Sequence, residues 1–256
     1  MGIEILFLFG AALAAGAINA IAGGGGLLVF PALLLVSIAP ISANATSAMG
    51  IWIGMVFSGV AYRHKLSPVA NQLLPLTLAS LAGATFGAWL LLNFSNENFA
   101  DIVPYLVGLG TVLFALSPRL VRLARWSHTT IDPSCSLTLS RPILVIGQGI
   151  ISIYGGFFGG GAGILMLTLL NLTSPGDLPT LQAVKIWMAI CINAAAITYF
   201  TIENIINWPY ALLVAAGTSL GGYSSVYLAQ RVPTIWLRRL VIIIGSLLTV
   251  YFFTAD

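Results

Sequence analysis

Long apolar runs fill most of this 256-residue sequence, separated by short breaks rich in glycine, proline and polar residues. Hydrophobic residues make up 59% of the chain and charged residues 7%, against about 25% charged residues in a soluble domain. Such a surface excludes a soluble enzyme, a nucleic-acid-binding protein and a disordered chain. We predict an all-α integral membrane protein, because helices satisfy their own backbone hydrogen bonds in lipid. The apolar runs lie near 3–22, 27–38, 44–62, 68–92, 99–118, 141–158, 162–171, 180–201, 206–228 and 234–254.

Two runs, 27–38 and 162–171, are shorter than the roughly 20 residues that a membrane crossing needs. If 3–38 and 141–171 each cross once, the lysines and arginines divide six to four between the two sides of the membrane. If each enters and returns at its glycines, all 10 lie on one side. The positive-inside rule favours the second arrangement. It predicts a multi-pass cell-membrane protein with both termini outside.

A glycine-rich motif occurs twice, since residues 22–28 (AGGGGLL) are similar to residues 159–165 (GGGAGIL), 137 positions later. A weaker pair, 44–46 and 182–184, is 138 positions apart. Each half would hold about five membrane segments, an odd number, which predicts an inverted repeat. The alternative is that glycine- and alanine-rich helices resemble one another by composition. The predicted organisation is a first transmembrane repeat at 1–118, a basic cytoplasmic linker at 119–140 and a second repeat at 141–256.

The glycine clusters predict a broken or re-entrant hairpin in each half, because consecutive glycines do not continue a stable helix. Irregular backbone inside a bilayer is tolerated only where protein buries it or where it lines a cavity. We expect the two tips to meet near the midplane, with the half-helix N-termini at Leu27 and Ile164 pointing at an anion. The alternative is close helix packing through small residues. The candidate contacts are Gly23, Gly24, Gly25, Gly26, Gly159, Gly160, Gly161 and Gly163.

Polar residues lie beside these breaks, and they combine neutral amides and hydroxyls with one cation. Such groups suit a partly desolvated anion, which needs hydrogen-bond donors. For Asn44 and Thr46 the alternative is ordinary helix N-capping. For Lys185 it is snorkelling to the interface, since the residue lies about one and a half turns into its helix. The candidate substrate-binding side chains are those of Asn19, Asn44, Thr46, Ser47, Lys185 and Asn193.

The carboxylates occupy loops, helix ends and the C-terminus, so no acid stands in mid-membrane, where coupled carriers usually keep one. His64 and His128 lie in basic stretches, where we expect them to be solvated. The two cysteines, Cys135 and Cys191, imply neither a disulfide framework nor a metal site. We therefore predict no enzyme activity, no metal site and no cofactor.

Residues 16–33 and 43–47 resemble the first-half signature of the TauE/SafE sulfite exporter family. Residues 154–166, Lys185 and the stretch from Ile192-Asn193 to Trp208-Pro209 are similar to the second-half signature. The resemblance covers essentially the whole chain and implies a permease for small sulfur-containing anions such as sulfite, sulfoacetate or related sulfonates. Two positions depart from the pattern: Thr168 stands where the first half has Pro31, and many relatives have Asn or Lys at Ser47-Ala48.

Export is the predicted direction, because expelling one negative charge from a negative interior gains about 2.3 kcal/mol per 100 mV. Uptake of a sulfonate or another small organic anion is an alternative, and it requires a coupling ion. A second alternative is a non-transporting membrane assembly or signalling factor. The expected partners are a small anionic substrate and the lipid bilayer, with no nucleic acid, and both a monomer and a homo-oligomer are compatible with the sequence.

Overall fold

The computed structural model describes residues 2–21, 23–126, 141–173, 177–228 and 234–254. These residues form ten α-helices and one 3₁₀ turn, with no β-strand among them. The helices are α1 (Gly2–Ile21), α2 (Gly26–Leu35), α3 (Pro40–Leu66), α4 (Leu73–Leu92), α5 (Asn96–Trp126), α6 (Pro142–Phe157), α7 (Ala162–Thr173), α8 (Leu178–Ile202), α9 (Trp208–Leu228) and α10 (Thr234–Thr254), and the 3₁₀ turn is Ser67–Gln72.

Each of the ten predicted apolar runs forms a helix, and the all-α membrane architecture is confirmed. Large hydrophobic side chains such as Phe57, Leu74 and Ile146 point away from the protein and are 63–65% exposed. Such faces are typical of contact with lipid. Four described stretches are long and apolar enough to cross a membrane: Gly2–Asn19, Tyr62–Leu92, Asn96–Arg119 and Pro179–Ile202.

Both glycine-rich breaks are the tips of helical hairpins. In the second hairpin α6 and α7 run antiparallel, with Gly155 against Ala162 and Gly147 against Leu169. In the first, the chain turns back so that a Cβ on Gly25 would lie 2.7 Å from the carbonyl oxygen of Ala15. The returning helices α2 and α7 have 10 and 12 residues, which gives lengths of about 15 and 18 Å. Neither spans a hydrocarbon core of about 30 Å.

Helix contacts come in corresponding pairs. Helix α1 packs on α9 as α6 packs on α4, and α3 packs on α9 as α8 packs on α4. Where α3 crosses α8, Trp52 Nε1 donates a hydrogen bond of 3.1 Å to the Ile190 carbonyl oxygen, and Asn193 Nδ2 lies 3.9 Å from Met55 Sδ. The two residues of each pair are 138 positions apart. The crossing therefore joins positions with the same spacing as the repeated motifs.

Spaced glycines form two close helix contacts outside the hairpin tips. Gly16 of α1 lies against the backbone of Thr218 on α9, and a Cβ on Gly83 of α4 would lie 2.5 Å from the Gly149 carbonyl oxygen on α6. Glycine allows such close approach because it has no side chain. Small-residue packing, considered above for the glycine clusters, therefore holds these two helix pairs together.

The end predicted for the apolar run 99–118 is wrong as a helix end, because α5 continues through Pro118 to Trp126. Proline has no N–H, so it leaves the carbonyl oxygen four residues earlier without its helical donor. That oxygen belongs to Phe114, and Ser117 Oγ donates to it at 2.9 Å. The predicted linker 119–140 thus begins within a helix, and its residues 127–140, with His128 and Cys135, lie outside the described residues. His64 is exposed, as expected.

Candidate functional site

The two glycine breaks contact each other inside the helix bundle, as predicted. A Cβ on Gly23 would lie 3.3 Å from Gly163 Cα, and a Cβ on Gly163 would lie 3.1 Å from the Gly23 carbonyl oxygen. Gly23 and Gly159 have φ values of +80° and +79°. Residues other than glycine rarely adopt this left-handed backbone conformation. The contact between the tips therefore needs glycine both for space and for backbone geometry.

A cavity of about 70 Å³ borders both tips. One water-sized group needs about 10–15 Å³, so the cavity has room for roughly five to seven such groups. Ten of the fourteen predicted site residues line it: Asn19, Gly23, Gly25, Gly26, Asn44, Ser47, Gly159, Gly163, Lys185 and Asn193.

Three of the predicted glycines, Gly24, Gly160 and Gly161, do not line the cavity and instead contact other parts of the helix bundle. A Cβ on Gly24 would lie 2.7 Å from the ring of Phe114 on α5. The Gly160 carbonyl oxygen accepts a hydrogen bond from the Tyr154 hydroxyl, and Gly161 lies against the backbone of α5. These positions hold the broken backbone in place.

The N-capping interpretation of Asn44 and Thr46 is wrong, because α3 begins at Pro40 and Ala39 is its N-cap. Thr46 Oγ1 accepts a hydrogen bond of 3.0 Å from the backbone N–H of Asn207, just before α9. Thr46 does not line the cavity. Asn44 Nδ2 donates to the Phe157 carbonyl oxygen at 3.0 Å, at the end of α6. A carbonyl oxygen only accepts, so the NH₂ group of Asn44 faces Phe157, and Asn44 Oδ1 has no partner among the described residues.

Lys185 is the only charged residue among the described residues that line the cavity. It is 3% exposed, and its Nζ is shielded from solvent with no hydrogen-bond partner in the described part of the chain. A Cβ on Gly23 would lie 3.4 Å from this Nζ. Snorkelling is therefore wrong for Lys185, since its amine does not reach the protein surface. An unpaired buried charge is costly, which makes the amine a strong candidate for contact with a negatively charged ligand.

The backbone amides at the two tips differ from the prediction. The Leu27 amide donates to the Gly24 carbonyl oxygen at 3.1 Å, and the Ile164 amide donates to that of Gly161 at 3.0 Å. Neither is therefore free for an anion. Gly26 and Gly163 line the cavity, and their backbone amides donate to no described group.

The apolar part of the cavity wall was not predicted from the sequence. Phe30 and Phe158 line the cavity with their rings edge to face at a centroid distance of 5.2 Å. Phe30 also contacts Phe99 at 6.3 Å, on the side of the α4–α5 connection. Phe158 immediately precedes the second glycine motif, which is an available signal in the sequence. Phe30 lies in a uniformly apolar helix, where the sequence gives no such signal.

The helices, hairpins and buried cavity define a multi-pass helical membrane protein with a small polar site inside its helix bundle. Residues 8–252 match the sulfite exporter TauE/SafE family, and the chain belongs to this family. It is therefore a membrane transporter and not an enzyme, with a small-molecule substrate and a lipid environment.

Proteins from several bacteria are similar to this chain over most of their length. It is 27% identical to the probable membrane transporter protein ORF9 of Sinorhizobium sp, over 96% of this chain and 91% of that protein. It is 26% identical to a probable membrane transporter protein of Haemophilus influenzae, over 97% and 94%. It is 25% identical to the probable membrane transporter protein YfcA of Escherichia coli, over 94% and 87%. No solved structure matches the chain.

Proposed function

We propose that this chain is a secondary permease of the cell membrane that exports small sulfur-containing anions, with sulfite as the reference substrate. The observation that carries the proposal is the unpaired amine of Lys185 beside the two glycine tips. A fixed positive charge in a cavity of low dielectric constant attracts an anion more strongly than the same charge in water. The family name points to sulfite in relatives, and the charge of this cavity agrees with that chemistry.

The cavity size favours the smallest members of the substrate class. Sulfite has one sulfur and three oxygen atoms, fewer than the roughly five to seven groups for which the cavity has room. Sulfoacetate is about twice as large and therefore fits this volume less readily. We therefore rank sulfite-sized anions above longer organosulfonates.

The carboxylates support export without a coupling ion. All five described carboxylates are exposed near helix ends, and none of them lines the cavity. Uptake against a negative interior would need a proton or cation site close to the substrate, and such a site usually contains an acid. Outward movement of an anion follows the membrane potential by itself. The carboxylates are Glu4, Glu97, Asp101, Asp177 and Glu203.

We also propose that the two halves form an inverted repeat with both termini outside the cell. The corresponding helix pairs and the contacts between residues 138 positions apart support this arrangement. In a background without the two native cysteines, single cysteines at Ser95 and Asn204 should react with an impermeant thiol reagent applied outside. A cysteine at Ser67, or at Ser127 outside the described residues, should not react. Labelling of position 67 or 127 from outside would overturn the topology.

A flux assay tests the function. Proteoliposomes loaded with sulfite should release it faster than protein-free vesicles, and a potential that is negative inside should accelerate the release. Sulfoacetate should move more slowly. If neither anion moves at either polarity, the proposal is wrong.

A further inference from the structure

The charge of the cavity is one positive unit within the described residues. Lys185 lies on α8, which packs against α3, α4, α6 and α7. The described residues of α4, α6 and α7 include no lysine, arginine, aspartate or glutamate. On α3 the titratable side chains are Tyr62, Arg63, His64 and Lys65, at the end of the helix and outside the cavity wall. On α6, Tyr154 uses its hydroxyl to donate to Gly160.

The cavity also contains two amide oxygens that have no hydrogen-bond donor among the described residues. Asn44 Nδ2 donates to Phe157, and Asn193 Nδ2 donates to the Ala189 carbonyl oxygen at 2.9 Å. Both partners are carbonyl oxygens, which only accept, so each Asn Oδ1 is the atom that remains without a described partner. Both asparagines line the cavity. A ligand with only acceptor oxygens would leave these two oxygens unsatisfied.

From these two observations we infer that the cavity selects a monovalent oxyanion that carries its own hydrogen-bond donor, so that bisulfite is bound in preference to the sulfite dianion. The inference rests on the proposed function and specifies its substrate further. A single negative charge is neutralised by Lys185, whereas a dianion would leave one charge uncompensated in a buried site. The donor of the ligand satisfies an asparagine oxygen that a fully deprotonated anion would leave unpaired.

Three anions of nearly equal size separate the two requirements. Methanesulfonate is a monoanion without a donor, sulfamate is a monoanion with an NH₂ donor, and sulfate is a dianion. None of them changes its charge near neutral pH. Each is added as a competitor of labelled sulfite efflux from proteoliposomes. Sulfamate should compete about two- to tenfold better than methanesulfonate, as expected for one hydrogen bond, and sulfate at least about tenfold worse than methanesulfonate.

The pH dependence of sulfite transport gives a second readout. Bisulfite loses its proton close to neutral pH, so raising the pH replaces the monoanion with the dianion. At a constant total concentration, the rate of sulfite movement should fall as the bisulfite fraction falls. The rate of labelled methanesulfonate over the same pH range controls for effects of pH on the protein.

Asn193→Leu provides a variant with a specific expectation. The shorter hydrogen bond of Asn193 runs to its own helix, and the only other contact of its amide is the 3.9 Å approach to Met55 Sδ on α3, so its loss removes little of the α3–α8 crossing. The variant should reduce the preference for sulfamate over methanesulfonate and still exclude sulfate. The inference is overturned if sulfate competes as well as methanesulfonate, if sulfamate has no advantage over methanesulfonate, or if sulfite transport follows the dianion. If no anion, sulfite included, moves in any vesicle, the proposed function fails and this inference fails with it.

Discussion

Replacing Lys185 with methionine separates a role in ligand binding from a role in stability. The substitution keeps an unbranched apolar stem and removes the amine. Loss of a charge-assisted hydrogen bond costs about 1.5–3 kcal/mol, so anion affinity should fall roughly 10- to 150-fold. The amine is 3% exposed and has no described partner. Its removal eliminates a desolvation cost, and the unfolding temperature should stay the same or rise.

Two measurements on the same preparation test this prediction. Thermal unfolding in detergent reports stability, and sulfite efflux from proteoliposomes as a function of concentration reports apparent affinity. Lys65→Met is the matched control, since Lys65 is exposed at the end of α3 and lies outside the cavity wall. It should leave both measurements unchanged. Lys185→Arg should retain part of the binding and transport more slowly, because the planar guanidinium does not present the same compact charge.

Two results would refute this reasoning. Wild-type affinity and rate in Lys185→Met would show that the amine does not contact the anion, and that the tip amides and the asparagines bind it alone. A fall in the unfolding temperature matching the loss of transport would show that Lys185 has a structural role. Only weaker anion binding at an unchanged or higher unfolding temperature agrees with an amine whose partner is the bound anion.

Three further predictions follow from the tips, the repeat and a helix cap. Gly23→Ala should lower the free energy of unfolding by about 1–2 kcal/mol, because Gly23 has a left-handed φ, and it should slow sulfite efflux. In the control Gly10→Ala no atom lies within 4 Å of the new Cβ, and the free energy of unfolding should rise by about 0.5–1 kcal/mol. Equal unfolding temperatures of the two variants would contradict this prediction. Ser47 also lines the cavity and lies 138 positions before Lys185, which is the spacing of the repeat. If the two positions are equivalent, the double variant Lys185→Ser, Ser47→Lys should recover part of the transport that Lys185→Ser alone loses. A double variant that transports no better than the single one argues against a symmetric site. The hydrogen bond with Thr180 in the first turn of α8 lowers the pKa of the Asp177 carboxyl. This cap therefore stabilises the fold fully at a pH above the pKa that Asp177 has in the unfolded chain, and the stabilisation is lost as the pH falls through the lowered pKa of the folded state. Asp177→Ala should cost about 0.5–2 kcal/mol in unfolding measurements at neutral pH and almost nothing in strong acid.

The sequence by itself determined the helices and the two breaks, because these are local properties. Apolar runs in lipid must satisfy their own backbone, and consecutive glycines interrupt a helix wherever they occur. Helix α5 does not end at Pro118 as its local sequence predicts, because a neighbouring serine hydroxyl supplies the donor that proline lacks. The backbone amides of Leu27 and Ile164 also differ from the local prediction, because they donate to carbonyl oxygens within the first turns of α2 and α7.

Only the tertiary structure decided which polar side chains border the cavity. Asn44 and Thr46 are two positions apart on α3, and such residues do not share a helix face. Asn44 therefore lines the cavity and Thr46 holds the segment before α9. The alternatives for Lys185 were equally compatible with its place in the sequence. Its burial depends on helices and a glycine tip supplied by distant parts of the chain, because burial of a side chain is set by its neighbours in space.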